Sequence, residues 1–527
     1  MTRVRTLLCA MLVAVTVPAA AQSLAERLDK RLDAPGLEHL LWGVAVTDLS
    51  GHLLYGRNAD RLFIPASNTK LVVAVVANAL LGPDFTVQTS VFGSGPIVSG
   101  VLQGDLILYG RGDPTFSNRC YDVDTTKSGV CDRNSADKFR QLAQQLRDRG
   151  VRVVAGDVVG DGSYFDPQII HPGWENYDLG WWYAAPVSGL GFNDNSVDFR
   201  EVAGDSAGVR AQVMMTPDIG AFTLDNRAEV VARSAPRTFD IFRTVDGLGY
   251  LATGALVAGA PVRTESAAVV DPNRYAALAF RQELSAVGIL VRGNSRATVD
   301  SFPNRAARTT TALAEVRSRP LRDWLYPILS PSQNWFAEMT LKQLGKRYGN
   351  GGSWAEGRAV ERRFLIDSIG IDSTEFSLQD GSGLAANNFI APLAFTKLLA
   401  WARKHANFAA INASLPQSGK PGTLRDRFAG TAGTMSVRAK TGSISGVNAL
   451  SGYLERPNGQ VLVFSVMANH HTLGGAKMIA MIDSVVVEMG REQQEQQEQR
   501  EQREQREQRE QREQQLRNGG TAKATPR

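Results

Sequence analysis

Cysteine is scarce in this chain: 527 positions hold three, and one of them, Cys9, sits in an apolar N-terminal segment. So few exclude a disulfide framework as the basis of the fold. Histidine is nearly as sparse. The six (His39, His52, His171, His405, His470 and His471) show no metal-ligand spacing such as His-Glu-x-x-His, and neither a metal nor another cofactor is expected. Charge of one sign is missing too, since 58 Lys and Arg stand against 53 Asp and Glu, a formal net of +5 spread along the chain. That argues against nucleic acid as a partner. After Leu7 to Val17, no apolar run is long enough to span a bilayer.

What is present starts with Arg3 and Arg5, the apolar stretch from Leu7 to Val17, and Pro18-Ala-Ala-Ala21-Gln22. This order reads as a secretory signal over 1–21, cleaved after Ala21, so the mature protein is expected to be soluble, exported and periplasmic. Cys9 follows Leu8 rather than a small residue, which argues against a lipid anchor. Cys120 and Cys131 remain, in a compartment where disulfides persist, and are expected to pair, contributing about 3 kcal/mol by the chain-entropy model. Two free thiols are the alternative. At the far end, 491–527 is a low-complexity run of Glu-Gln-Arg triplets with almost no apolar residues. It cannot build a core, and disorder or a fraying helix is expected, as a tether or simply a solvated tail.

Between these ends, 43% apolar residues allow large cores. Trp42 to Tyr55 alternates and turns at Ser50-Gly51, a hairpin pattern. From Thr86 the chain reads as strands (86–92, 101–109, 151–159, 211–215, 228–232, 238–244) with two helices near 135–149 and 273–287. Helical patterns return at Ala312–Glu315 and beyond, Asn334–Tyr348, Trp354–Gly370 and Pro392–His405; three strands follow over Ser436–His470, then a last helix over Ala476–Met489. The expected class is α/β (α+β), one domain split by a long, mostly β insertion.

Three motifs carry chemistry. In Pro65-Ala-Ser-Asn-Thr-Lys70, Ser67 and Lys70 lie three apart at the start of an apolar helix, so a hydroxyl faces an amine able to take its proton. Ser135-Ala-Asp-Lys138 matches the same pattern, but there Ser135 reads as an N-cap and Lys138 as solvated surface. The second motif is Ser332-Gln-Asn334, a hydroxyl and an amide at a helix entry, where a capping serine would be the plainer reading. The third is Lys440-Thr-Gly442 with Ser443, on a strand whose glycine admits a substrate backbone and whose lysine and hydroxyls suit a carboxylate. Lys127-Ser-Gly129 is a loop decoy.

The order Ser-x-x-Lys, Ser-x-Asn, Lys-Thr-Gly resembles the signature of penicillin-recognising serine enzymes, penicillin-binding proteins and serine β-lactamases. Ser67 and Ser332 are 265 positions apart and Ser332 and Lys440 only 108, so a domain-sized piece interrupts the first gap. That spacing resembles the D-alanyl-D-alanine carboxypeptidase/endopeptidase family of penicillin-binding protein 4, the DacB or S13 peptidases, over about residues 36–489. Gly110 to Thr115, Gly156 to Asp166, Pro172-Gly-Trp174 with Ala185-Pro186, and Asp380-Gly-Ser-Gly-Leu384 with Asn388 add to the likeness.

The resemblance implies a penicillin-binding, β-lactamase-like domain with an antiparallel sheet and helices over 22–88 and 305–490, and an inserted β-rich region over 89–304 with an inner subdomain near 198–265. It implies an exported serine D-Ala-D-Ala carboxypeptidase and DD-endopeptidase whose partners are stem peptides, cross-linked muropeptides and β-lactam inhibitors. By it, Ser67 is the nucleophile, Lys70 the base, Ser332 with Lys440 the proton relay, and Asn334 the amide that orients substrate. The backbone N–H groups of Ser67 and Ser443 form an oxyanion hole, and Thr441, Gly442 and Ser443 bind substrate. Asp178 and Tyr183 would read the diaminopimelyl side chain; Trp174, Tyr177, Trp181, Trp182 and Tyr183 also suit a plain aromatic packing cluster. Two departures bear on that side chain: Ala385-Ala386 stands where the family usually has Ser-Arg, and Ser445 where some relatives have glutamine. A serine β-lactamase is the competing reading, and a wall-binding protein without activity a more distant one.

Overall fold

Nine-residue strands rich in Val, Leu and Ala build the centre of the molecule, seen in a computed structural model that describes residues 23–117, 135–298, 302–431 and 435–491, with 506, 508, 509 and 511. The signal segment, the Cys120/Cys131 pair, the decoy at Lys127 and nearly all of the Glu-Gln-Arg tail lie outside the described residues. Two compact units are present, one of residues 39–483 and one formed by residues before 39 with those from 484. In the second, Ser23 caps the helix Leu24–Leu32 reciprocally with Glu26, and Arg31 grips Glu488 Oε1 at 2.7 Å.

In the main unit, five antiparallel strands run in the order Leu53–Arg57, Leu41–Thr47, Val461–Asn469, Val447–Glu455, Ser436–Ile444. The hairpin expected at Trp42 and the three C-terminal strands are therefore present. Val447–Glu455 is buried along all but its last residue, because both faces of the sheet are covered. Helix Pro392–Lys404 packs on one side. The turn preceding the apolar helix Lys70–Leu80 packs against the two strands at the sheet's C-terminal edge. That helix is buried from Lys70 to Asn78 and rests on helices Leu321–Leu329 and Asn334–Tyr348. Its apolar run stops at Gly82, whose φ of +82° an L side chain rarely adopts.

The region after residue 88 has its own sheet, in the order Ser295–Thr298, Val158–Asp161, Leu106–Tyr109, Gln88–Gly93, Ala314–Arg317. The last strand corrects the helix expected to begin at Ala312. Ala314 and Val316 are buried while Glu315 and Arg317 are exposed, a period of two that pairs with Gln88–Gly93. The strands expected over 101–109 and 151–159 each break in two, since 101–102 and 153–154 pair in a separate sheet. Helices Asp137–Asp148 and Pro272–Ala286 fall where expected. Strands between 196 and 268 form three further small sheets.

Lys138, expected on solvated surface, is instead buried, its ammonium 2.9 Å from Asp113 Oδ2 and over the Phe116 ring; Ala136, not Ser135, precedes the helix, and without a side-chain cap. Phe139 on the same helix has ring neighbours Phe116, Phe192 and Phe280 at 4.9, 5.3 and 5.7 Å. Phe139→Ala should therefore cost about 3–5 kcal/mol, read as a lower urea midpoint, and Phe139→Leu clearly less. Equal stability of the alanine variant and the parent would show that this ring cluster does not hold these elements together.

Candidate active site

Ser67 lies on a single 3-10 turn, Ala66–Thr69, that leads into the helix, rather than on the α-helix itself. Tightening the first turn still leaves Ser67 and Lys70 on one side, and Lys70 Nζ is 2.9 Å from Ser67 Oγ. The amine also meets Asn334 Oδ1 at 2.6 Å and the Ser382 carbonyl at 2.8 Å. Lys70 has no exposed surface, and burial pulls its pKa down to about 7 against the opposing pull of Glu338 and Asp380. A lysine so placed is a neutral base over much of the physiological range.

Lys440, on the edge strand Ser436–Ile444, is the second buried amine. Its Nζ bonds Ser332 Oγ at 2.8 Å and the Thr441 carbonyl at 2.7 Å; burial, reinforced by Lys70, drives its pKa well below the lysine norm. The three motifs, far apart in sequence, thus converge through Lys70 to Asn334 and Lys440 to Ser332. Thr441 Oγ1 hydrogen-bonds Thr423 Oγ1 at 3.1 Å, and Asn448 Nδ2 donates to Ser443 Oγ at 3.2 Å.

Backbone strain and missing side chains bring these elements together. Ala66 and Ser332, neither a glycine, have φ of +47° and +66°, conformations costing on the order of 1–3 kcal/mol each. Gly442 lets the edge strand press on the Ser67 turn, for a Cβ there would lie 2.5 Å from the Pro65 carbonyl oxygen. Gly383 has φ +80°, and its Cβ would fall 1.9 Å from the Ala66 carbonyl oxygen.

The loop of Gly383 is held from below. Asp380 accepts from the Gly383 and Ala385 amides, from Asn388 Nδ2 and from the Trp174 indole, all at 2.8–3.0 Å. Glu338 accepts from the Gly381 and Ser382 amides and the Trp354 indole at 3.0, 2.7 and 2.7 Å. Trp174 therefore serves as a buried anchor as well as packing on His171 and Trp354. Sequence reasoning missed Glu338. It left little signal, because Asn334, Glu338 and Lys342 recur every four residues but Thr340, Gln343, Lys346 and Arg347 on the same helix are polar as well.

Asp178 and Tyr183 hold each other, the phenol donating to Asp178 Oδ1 at 3.0 Å, and burial with that carboxylate pushes the phenol up. The Tyr183 carbonyl accepts from Asn334 Nδ2 at 2.8 Å, so this segment touches the site through its backbone. A cleft of about 490 Å³ opens beside Ser332, between Trp181, Trp182, Asp198, Glu265, Pro331 and Gln333. Tyr177 is exposed, as are Ala386 and Ser445, while Ala385 is buried.

This fold and these three converging motifs define a penicillin-recognising serine enzyme. Residues 24–489 match the sequence profile of the D-Ala-D-Ala carboxypeptidase 3 (S13) family, and the chain belongs to that family. It is similar to the D-alanyl-D-alanine carboxypeptidase of Actinomadura sp. (strain R39), 33% identical over 478 residues covering 88% of this chain and 84% of that one. It is 24% identical over 423 residues to D-alanyl-D-alanine carboxypeptidase DacB of Haemophilus influenzae, covering 79% and 82%. The crystal structure of penicillin binding protein 4 (dacB) from Haemophilus influenzae superposes with a TM-score of 0.72 at 22% identity, covering 88% of this chain and 99% of that one. A crystal structure of that Haemophilus protein complexed with a β-lactam gives 0.66 at 21%, over 88% and 98%. The fold is thus the penicillin-binding, β-lactamase-like one, and no helix among the described residues is long and apolar enough to cross a membrane.

Gly383→Ala should destabilise by at least about 1–3 kcal/mol from backbone strain alone, plus the clash with Ala66. Thermal melting checks this, and a variant as stable as the parent would sink the proposed role of the loop in seating the Ser67 turn.

Proposed function

We propose that the chain is an exported, periplasmic serine D-Ala-D-Ala carboxypeptidase and DD-endopeptidase that acts on peptidoglycan stem peptides and cross-links through an acyl-enzyme on Ser67. The observation that carries this reading is the buried Lys70 amine, 2.9 Å from the Ser67 hydroxyl and poised near neutrality. Lys70 takes the Ser67 proton as Oγ attacks the carbonyl between the two terminal D-alanines. The negative charge that develops on the carbonyl oxygen meets the backbone N–H groups of Ser67 and Ser443; one such donor is typically worth about 2.7–4 kcal/mol.

The C–N bond then breaks, and the leaving amine needs a proton. Ser332, bonded to Lys440, passes it on, and the proton lost by Ser67 re-enters the same network through Lys70. Asn334 holds Lys70 with its oxygen, and the second hydrogen of Nδ2, not used by the Tyr183 carbonyl, is free to meet a substrate carbonyl. Lys440, Thr441 and Gly442 lie on the sheet edge, where an extended peptide can add as a strand and place its carboxylate on Lys440 and Thr441. Water releases the acyl group.

Penicillin should acylate Ser67 and leave slowly. The Asp178–Tyr183 pair is assigned to the stem-peptide side chain; exposed Ala386 supplies no cation there, so discrimination between amidated and free side-chain carboxylates should be weaker than an arginine would give. The peptidase domain is read as discontinuous around the β-rich insertion.

Two measurements test this. Muropeptide digests analysed by mass spectrometry should lose terminal D-alanine and cross-links with the parent enzyme and neither with Ser67→Ala; no loss with the parent would end the enzymatic reading, and rapid multiple turnover of a chromogenic cephalosporin would favour a β-lactamase. Acylation by a fluorescent penicillin should also rise with pH through about 7, since the neutral Lys70 amine predominates above its pKa and the ammonium below it.

A further inference from the structure

Beneath the Ser67/Lys70 pair lies a set of buried carboxyl groups that the mechanism above does not use. Glu338 projects from helix Asn334–Tyr348 one turn below Asn334 and has no exposed surface. Its oxygens accept from the two amides of the Gly381-Ser382 segment and from the Trp354 indole, and the Ser382 carbonyl lies 2.8 Å from Lys70 Nζ. One peptide unit away from the base, therefore, a carboxylate fixes the group that the base contacts.

We propose that Glu338 is a positioning residue for acylation: clamped by the Gly381 and Ser382 amides and the Trp354 indole, it seats the Ser382 carbonyl on Lys70 and supplies the counter-charge for the ammonium formed when Lys70 takes the Ser67 proton. The inference rests on the function proposed above. Glu338 accepts three N–H donors, the arrangement an ionised carboxylate needs. Burial and Asp380 nonetheless push its pKa up to about 7, so its charge and that of Lys70 are set together.

The charged groups facing this pair come from several elements. Asp380 lies on the loop above and interacts with both Glu338 and Lys70. Lys440 opposes the Lys70 charge from the edge strand. Lys342, one turn along the same helix, stands over the Trp354 ring and interacts with Glu338. Glu361, on the adjacent helix Trp354–Phe364, is 2% exposed, and neither of its oxygens has a hydrogen-bond partner among the described residues. Burial, with Glu338 and Asp380, drives its pKa well up against the pull of Arg358. Within the Ser67 proton transfer, no atom leaves this set. The Oγ–H bond breaks, the Nζ–H bond forms, and the new positive charge appears beside a carboxylate that is already in place.

The test compares the parent with Glu338→Gln and Trp354→Phe, the latter removing one donor while keeping a ring. Glu338→Gln should still melt cooperatively, be acylated by a fluorescent penicillin roughly tenfold more slowly, and show its acidic limb about one pH unit lower, because an ammonium at Lys70 has lost its counter-charge. Trp354→Phe should move both in the same direction by less. A structural role alone would slow the reaction without moving the pH midpoint, so an unmoved midpoint in a folded Glu338→Gln overturns the proposal. If that variant does not fold, an unmoved midpoint in Trp354→Phe overturns it. A carbon-13 NMR titration of lysine Cε-labelled enzyme, assigned with Lys70→Arg, follows the Lys70 midpoint directly. It keeps the outcome separate from a parent that proves unreactive toward penicillin, which would overturn the proposed function itself.

Discussion

Two lysine amines buried in one site are the constraint on which the rest of this structure depends. Neither Lys70 nor Lys440 has exposed surface, and an ammonium without water or a counter-ion is costly enough that the group gives up its proton instead. Each amine also sits close enough to the other to disfavour a second charge. Burial thereby pulls both amines below the lysine norm, Lys70 to about 7, and each is hydrogen-bonded to a serine hydroxyl. The same burial would be destabilising were the amines not held by Asn334, the Ser382 carbonyl and the Thr441 carbonyl.

The surrounding architecture follows from keeping those amines dry and aligned. An apolar helix with Lys70 at its head must be enclosed on all sides, which the sheet and the helices Leu321–Leu329 and Asn334–Tyr348 accomplish. Enclosure that close leaves no room for side chains at Gly383 or Gly442 and forces Ala66 and Ser332 into left-handed backbone. Strain of this kind persists only where neighbours over-determine the conformation, and here the Asp380 and Glu338 carboxylates do so by accepting from seven donors, five on the 381–388 loop and two from the Trp174 and Trp354 indoles.

Much of this was legible in the sequence, and the reasons differ by element. Long elements, such as the nine-residue strand Val447–Glu455 and the fifteen-residue helix Asn334–Tyr348, stood out because extended burial leaves a long, mostly apolar segment to read. Ala312 misled because four residues hold too little of either period, and pairing with Gln88–Gly93, some 220 positions away, decided the matter. The Ser67/Lys70, Ser332/Asn334 and Lys440 groups, which the structure brings together, could be picked out because each motif is a short local pattern. Glu338 was not, since its role is defined by backbone amides more than 40 positions later, and a buried glutamate on a helix looks in sequence like any solvated one. Lys138 failed in the opposite direction, an apparent surface lysine buried by its pairing with Asp113.

On the proposed mechanism, the lowered pKa of Lys440 also explains why recognition and catalysis can share one residue. A substrate carboxylate arriving at the edge strand brings the counter-charge that Lys440 lacks in the free enzyme, and so favours its ammonium. Charging Lys440 next to Lys70 in turn disfavours an ammonium at Lys70, keeping the base neutral until Ser67 gives up its proton. The carboxylates beneath Lys70 act in the other sense, stabilising the ammonium once it forms. Opposed influences on a single amine, one from the substrate side and one from the protein interior, hold Lys70 near the midpoint where a group can both accept and return a proton.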